Sequence, residues 1–290
     1  MTARHGASVP SPIPLSVLTG FLGAGKTTLL NRLLKGDLSQ TAVIINEFGE
    51  IGLDHLLVEH VDDGIVLLST GCLCCTLRGD LIDALERLLR SLDNGRAVFS
   101  RVIIETTGLA DPAPVLHVLM THPYLVMRYR LDGIITVVDA VNGPATLDAH
   151  EEAVKQVAVA DRLVLTKTDL GGDRTSLNAL RARLHALNPA APVLDAARGE
   201  ADASRILNCG LYDPANKIPD VARWLAVEAY ADSHHHSHDH DPNRHDAHIR
   251  AFALTSPQAI PAGAFDMFME LVRSLHGPNL LRVKGVVKLA

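Results

Sequence analysis

The segment Gly20-Phe21-Leu22-Gly23-Ala24-Gly25-Lys26-Thr27 decides the fold of this chain. It follows an apolar run at residues 15–19 that predicts a buried strand, and leucines at helical spacing follow it at residues 29–34. The segment matches the pattern G-x-x-x-x-G-K-[ST], in which glycines let backbone N–H groups wrap around phosphates. Because the motif lies between a strand and a helix, we interpret it as a phosphate-binding loop.

The loop and a second strand end predict a site for a nucleotide and Mg²⁺. We expect Lys26 to reach the β- and γ-phosphates and the Thr27 hydroxyl to bind Mg²⁺. A buried strand at residues 101–105 ends at Glu105, whose carboxylate can hold Mg²⁺ directly or through water. Gly108 follows and can place its N–H near the γ-phosphate. The residues expected to contact the phosphates are Gly20, Gly23, Ala24, Gly25, Lys26, Thr27, Thr28 and Gly108.

The tetrapeptide Thr166-Lys167-Thr168-Asp169 favours guanine as the base. The Asp169 carboxylate can accept two hydrogen bonds, from N1–H and from the exocyclic amino group of guanine, which adenine cannot supply. Lys167 would lie along the base. The usual signature is Asn-Lys-x-Asp, so Thr166 is a departure. We therefore expect GTP, and an ATP-dependent kinase or ATPase is the alternative.

Short β-branched runs alternate with helical patterns over most of the chain, which predicts an α/β fold with a mostly parallel sheet covered by helices. The predicted strands are residues 15–19, 41–46, 101–105, 133–139, 162–166 and 192–194. This P-loop domain is expected to span residues 1–212. A polar linker is expected at 213–247, and a small α+β domain with a helix at 261–276 and a last strand at 280–289 is expected at 248–290.

Composition excludes several classes of function. The 290 residues are 47% hydrophobic and carry a net charge of −6, so there is no basic excess that would bind nucleic acid or an anionic membrane. The apolar runs are too short to span a bilayer, and the N-terminus lacks the apolar core of a secretory signal. We expect a cytoplasmic protein with reduced thiols.

Three closely spaced cysteines, Cys72, Cys74 and Cys75, predict a metal site. Three thiols can converge on one soft or borderline cation such as Zn²⁺ or Co²⁺, and a tetrahedral site then needs a fourth ligand. Glu50, His122 and water are candidates for it. A redox pair spaced C-x-x-C and a cluster of buried small residues are the alternatives.

A histidine-rich tract lies within the predicted linker. Its imidazoles would bind divalent transition metals weakly and reversibly, and a solvated polar linker is the other interpretation. The auxiliary ligands proposed there are His234, His235, His236, His238 and His240. Cys209 stands alone in the sequence, and we interpret it as structural.

Taken together, the motifs resemble those of the CobW-type proteins, metallochaperone GTPases related to the nickel-insertion GTPases of urease and hydrogenase maturation. The resemblance implies a GTPase that binds Zn²⁺ or Co²⁺ through Cys-x-Cys-Cys and delivers it to a client metalloprotein. It also implies that residues 46–50 form a switch loop beside the γ-phosphate, which makes Glu47 a candidate catalytic residue with Lys26 and Glu105. The motifs that carry it are Gly20 to Thr28, Asn46-Glu47-Phe48-Gly49-Glu50, Gly71-Cys72-Leu73-Cys74-Cys75, Glu105-Thr106-Thr107-Gly108 and Thr166-Lys167-Thr168-Asp169.

Two further questions stay open at the level of sequence. A nucleotide-independent metal-buffering or storage protein, with a vestigial or regulatory nucleotide site, is the alternative function. It would bind several ions per chain whatever the nucleotide. The oligomeric state is not determined, and a homo-oligomer is one candidate.

Overall fold

A computed structural model describes the parts of the chain from which the fold can be read. These are residues 11–36, 38, 40–46, 66–70, 77–108, 112–170, 173–209, 254, 256–276, 280, 283 and 285–290. Within them the chain forms strands and helices in alternation, as the sequence predicts.

Seven parallel strands form one sheet in the order β3-β2-β4-β1-β5-β6-β7. The strands are β1 Ile13–Gly20, β2 Thr41–Asn46, β3 Val66–Thr70, β4 Arg101–Glu105, β5 Tyr129–Asp139, β6 Arg162–Thr166 and β7 Val193–Asp195. Strand β1 lies in the centre, between β4 and β5, and pairs with both in parallel. The carboxyl ends of β1, β4, β5, β6 and β7 therefore meet at one edge of the sheet, where ligands bind in open α/β folds.

Nine helices occur in the described segments, and the first eight follow strands of the sheet and cover it. They are α1 Lys26–Leu34, α2 Leu77–Asp93, α3 Ala113–Thr121, α4 Leu125–Arg128, α5 Gly143–Ala149, α6 Glu151–Ala158, α7 Arg174–Leu187, α8 Ala203–Ile206 and α9 Ala262–His276. Helix α7 begins at Asp173, whose side chain accepts a hydrogen bond from the amide of Ser176 at 2.7 Å and so caps the helix.

Side chains that alternate along each strand build a core on both faces of the sheet. Leu15 and Val17 of β1 pack in one cluster with the buried leucines of α2, and Leu18 packs in another with α1. Leu81, Leu85, Leu88 and Leu89 recur at helical spacing and form this buried face of α2. The strands are apolar on both faces because both faces are covered, which confirms the predicted fold class.

Two sequence predictions differ from the structure. Strand β3 was not predicted, because an apolar run of about five residues does not by itself distinguish a strand from a loop. In the C-terminal part, helix α9 confirms the predicted helix. The expected last strand is reduced, within residues 280, 283 and 285–290, to one bridge between Ile260 and Leu289. The stretch at residues 248–255, whose sequence is also strand-like, lies outside the described residues except for Leu254.

Candidate nucleotide site

The phosphate-binding loop connects the central strand to α1. Gly20, at the end of β1, has a φ of 139°, and a Cβ there would lie 2.3 Å from the carbonyl oxygen of Val137 on β5. Only glycine allows this close approach of two backbones. Beyond it the Phe21 ring stacks on the imidazole of His150, with centroids 4.4 Å apart, and the Phe21 carbonyl accepts from the amide of Ala24. The loop is thus held in a fixed shape at the carboxyl edge of the sheet.

Lys26 and Thr27 open α1 and lie on the inner side of the loop. The Lys26 side chain is buried, and its Nζ donates to the carbonyl of Phe21 at 3.1 Å. The Thr27 hydroxyl donates to Oε1 of Glu105 at 2.6 Å. Glu105 ends β4 and is 4% exposed. The two oxygens predicted to hold Mg²⁺ are therefore in direct contact, and they are the hard ligands that this ion prefers.

Gly108 lies against the phosphate-binding loop from the side of β4. A Cβ at this position would be 2.4 Å from the amide nitrogen of Leu22 and 2.5 Å from its Cα. The segment before it is tied to β1, because the Thr106 amide donates to the Leu18 carbonyl and the Thr106 hydroxyl to the Thr19 hydroxyl, both at 2.9 Å. Gly108 thus lies beside the phosphate-binding loop, and its contact with the γ-phosphate stays a prediction.

The predicted base-recognition segment leaves the end of β6 and holds the loop from the other side. The Thr166 hydroxyl donates to the Ala24 carbonyl at 2.7 Å. Lys167, in the left-handed region at φ 58°, donates from Nζ to the Gly23 carbonyl at 2.9 Å and to Oδ2 of Asp139 at 2.6 Å. Thr166, the departure from Asn-Lys-x-Asp, still supplies a donor to the loop. Asp169 follows, exposed to solvent.

Asp139 was missed at the level of sequence, although its position at the end of a predicted strand was the available signal. Its Oδ1 accepts from the amides of Val141 and Asn142, and its Oδ2 from the Asn142 side chain as well as from Lys167. Burial alone raises the pKa of Asp139, but these hydrogen bonds, led by that from Lys167, outweigh it and leave the pKa below its ordinary value. The Asp139–Lys167 ion pair is thus formed at neutral pH.

Asp195, the last residue of β7, was also missed at the level of sequence, although it directly follows a predicted strand. It is fully buried, and it accepts a hydrogen bond from the Thr168 hydroxyl at 2.7 Å. Five strands of the sheet therefore end in a residue of this site or next to it, which are Gly20, Glu105, Asp139, Thr166 and Asp195.

Several predicted site residues lie outside the described part of the chain. These are Glu47, Glu50, Cys72, Cys74, Cys75, His234, His235, His236, His238 and His240. No group of three or more metal-ligating side chains occurs among the residues that are described.

His122 and Cys209 are described, and both have structural contacts. His122 follows the last residue of α3, and its Nδ1 accepts from the amide of Leu125 at 3.4 Å. It lies near the start of β5, at the sheet edge opposite the nucleotide site, which gives no support to its prediction as a ligand. Cys209 is buried, its Sγ contacts the Ile206 carbonyl at 3.2 Å, and burial raises the pKa of the thiol to about 12.

The parallel sheet, the phosphate-binding loop and the Thr27–Glu105 pair define a P-loop nucleotide-binding fold. The chain belongs to the CobW/HypB/UreG family, since residues 14–195 match the nucleotide-binding domain of that family. None of the helices in the described segments has the length and apolar character that crossing a bilayer requires.

Curated relatives agree with this assignment. The chain is 43% identical over 199 residues to the zinc chaperone YjiA of Escherichia coli strain K12, and the aligned region covers 68% of this chain and 62% of YjiA. It is 33% identical over 284 residues to the zinc-regulated GTPase metalloprotein activator 1 of Schizosaccharomyces pombe, and this alignment covers 92% of the chain and 67% of the relative. The crystal structure of Zn(II)-bound YjiA GTPase from E. coli superposes with a TM-score of 0.56 at 38% identity, covering 69% and 62%. The chain thus spans under two thirds of the length of YjiA.

Proposed function

We propose that this chain is a GTP-hydrolysing metallochaperone that binds Zn²⁺ or Co²⁺ and delivers it to a client metalloprotein under control of the bound nucleotide. The observation that carries the proposal is the 2.6 Å contact of Thr27 with Glu105 beneath a phosphate-binding loop. It brings together the two groups that would hold Mg²⁺, beside the loop that would bind a triphosphate. The relatives named zinc chaperone and zinc-regulated GTPase metalloprotein activator support the same class of function.

In this proposal the loop binds the phosphates and the segment after β6 binds guanine. Backbone N–H groups of the loop and the start of α1 favour negative charge. The phosphate contacts are assigned to Gly20, Gly23, Ala24, Gly25, Lys26, Thr27, Thr28 and Gly108, and the guanine contacts to Thr166, Lys167 and Asp169. The contacts of Lys167 with Gly23 and Asp139 support the second assignment, because they extend its side chain across the base side of the loop.

The residues of the site would promote hydrolysis mainly through charge. Lys26 brings a cation to the phosphates, where negative charge develops in the transition state. Glu105 and the Thr27 hydroxyl would hold Mg²⁺, which supplies further compensation of phosphate charge when bound. Glu47 is assigned to the switch that responds to the γ-phosphate, and this assignment rests on sequence alone.

The cargo metal is assigned to Cys72, Cys74 and Cys75, with Glu50 or water as fourth ligand. The histidine tract would add weak auxiliary sites. Nucleotide control requires that the two sites share a coupling free energy of about 1–3 kcal/mol, and this coupling is reciprocal. GTP would order the switch and tighten metal binding, and hydrolysis would release the metal to the client.

The same proposal covers the organisation of the whole chain. The nucleotide domain is assigned to residues 1–212, the linker to 213–247 and a small second domain to 248–290. The family match, which ends at residue 195, supports the first assignment. We place the protein in the cytoplasm, with a metalloprotein as its partner and with homo-oligomerisation as a point for measurement.

The test is a competition titration of Zn²⁺ and Co²⁺ into protein that holds Mg²⁺ and either a non-hydrolysable GTP analogue or GDP. We expect tighter metal binding in the GTP form, by about 5- to 150-fold for a coupling of this size. Cys74→Ala should abolish the effect, whereas Cys209→Ala, a matched control at a buried cysteine, should retain it. Equal metal affinity in the two nucleotide states would contradict nucleotide control and favour a metal-buffering protein.

A further inference from the structure

Asp195 is a fully buried carboxylate at the end of β7. Its Oδ1 accepts from the Thr168 hydroxyl at 2.7 Å and from the amide of Ala197 at 3.1 Å. Its Oδ2 accepts from Arg181 at 3.1 Å. Removing a carboxylate from water is strongly unfavourable unless donors surround it, so its charge orders the groups that satisfy it.

Two of these donors come from the loops that flank the predicted base pocket. Thr168 directly precedes Asp169, in a turn closed by a hydrogen bond from the Leu170 amide to the Lys167 carbonyl at 3.2 Å. Ala197 belongs to the turn at 195–200, which is closed by a bond from the Glu200 amide to the Asp195 carbonyl at 3.0 Å. One carboxylate thus joins the two turns.

The turn at 195–200 is also fixed to the helix that carries the phosphate-binding residues. Arg32, on α1, donates from Nη1 to the Ala196 carbonyl and from Nη2 to the Ala201 carbonyl, both at 2.9 Å. The turn therefore cannot shift without loss of bonds to α1. This rigidity gives Asp195 a stable frame from which to hold Thr168.

We propose that Thr168 and Asp195 form a latch that sets the direction of the Asp169 carboxylate, and that Asp195 is thereby a positioning residue for guanine selectivity. The inference rests on the proposed role of Asp169 in binding guanine. Asp169 itself is exposed, so its direction is set by the backbone on either side of it. Both its oxygens must align with two N–H groups of guanine, and hydrogen bonds weaken steeply when the angle is poor.

The test compares GDP with IDP, whose base lacks the exocyclic amino group. Dissociation constants of GDP, IDP, ADP and pyrophosphate are measured for the wild type, Thr168→Val, Thr168→Ala and Thr168→Ser. Thr175→Val, at an exposed threonine on α7, is the matched control. Thr168 is only half-buried, so loss of its hydroxyl leaves the core in place.

We expect the wild type to prefer GDP over IDP by about 10-fold or more, the equivalent of one hydrogen bond to a charged acceptor. Thr168→Val and Thr168→Ala should bring the two dissociation constants to within about 3-fold of each other, with pyrophosphate binding unchanged. Thr168→Ser, which keeps the hydroxyl, and Thr175→Val should retain the preference. If Thr168→Val prefers GDP over IDP as strongly as the wild type does, the latch is overturned and the guanine assignment is not. If the wild type itself binds GDP, IDP and ADP equally, the guanine assignment is overturned as well.

Discussion

Replacing Gly108 by alanine should weaken nucleotide binding and leave the fold in place. The new Cβ would lie 2.4 Å from the Leu22 amide nitrogen. Since non-bonded heavy atoms approach to about 3.5 Å, one backbone must move by about 1 Å. The backbone segment before Gly108 is anchored to β1 by the two hydrogen bonds that Thr106 donates, whereas Leu22 is 72% exposed. The displacement therefore falls on the exposed Leu22 segment of the phosphate-binding loop, while the bonds of Thr166 and Lys167 to Ala24 and Gly23 hold the rest of the loop in place.

A shift of about 1 Å misaligns N–H groups that would bind phosphate, and a hydrogen bond to a charged group contributes about 1.5–3 kcal/mol. Loss of one such bond raises the dissociation constant of Mg·GDP by about 10- to 150-fold. Calorimetric titration measures this, and thermal unfolding reports the fold. Gly263→Ala, at a helical glycine where a Cβ meets nothing within 4 Å, is the control. Wild-type affinity in Gly108→Ala with an unchanged melting temperature would refute the close approach of the two backbones.

Three further predictions concern charge and thiol chemistry. Glu105→Gln should raise the Mg²⁺ concentration for half-maximal GTP hydrolysis by about 10-fold or more, because a charged oxygen ligand is lost. The control Glu152→Gln, at an exposed glutamate, should leave this concentration unchanged. An unchanged Mg²⁺ dependence in Glu105→Gln would show that Glu105 does not hold the ion. The lowered pKa of Asp139 means that its contribution to stability is present above about pH 4 and is lost as the pH falls through the folded-state pKa. The difference in unfolding free energy between wild type and Asp139→Asn should therefore stay constant from about pH 8 to 5 and narrow only in stronger acid, and narrowing near neutrality would contradict the ion pair with Lys167. The raised pKa of Cys209 predicts that a thiol reagent at neutral pH reacts with at most three of the four cysteines in the native protein and with all four after unfolding. Rapid reaction of all four thiols in the native protein would contradict the burial of Cys209.

The fold was predictable because each level of the sequence indicates the same answer. Apolar runs too short for helices alternate with leucines at helical spacing, and this pattern fits a parallel sheet covered on both faces. Strand β3 was the exception, since its five residues carry no periodicity that separates a strand from an apolar loop. Its pairing with β2, which defines it as a strand, is a tertiary contact.

The phosphate side of the site was predictable for a different reason, namely that its chemistry is local in sequence. Gly20, Lys26 and Thr27 lie within one short segment, so their spacing alone predicts a phosphate-binding loop. The contacts of Asp139 and Asp195 join strands that are distant along the chain. Their register at the carboxyl edge exists only once the sheet has formed, although their strand-end positions gave a usable signal.

Hydrogen bonds join parts of the base side of this site to the phosphate-binding loop and to α1. Thr166 and Lys167 bond to carbonyls of the phosphate-binding loop, and Arg32 bonds from α1 to the turn that contains Ala196. Residues joined by such bonds do not respond independently to substitution. Substitutions of Thr166 and Arg32 should therefore be non-additive in their effect on GDP binding, since each loosens the same frame. In the proposed function, guanine selection by Asp169 would then depend on the phosphates being bound.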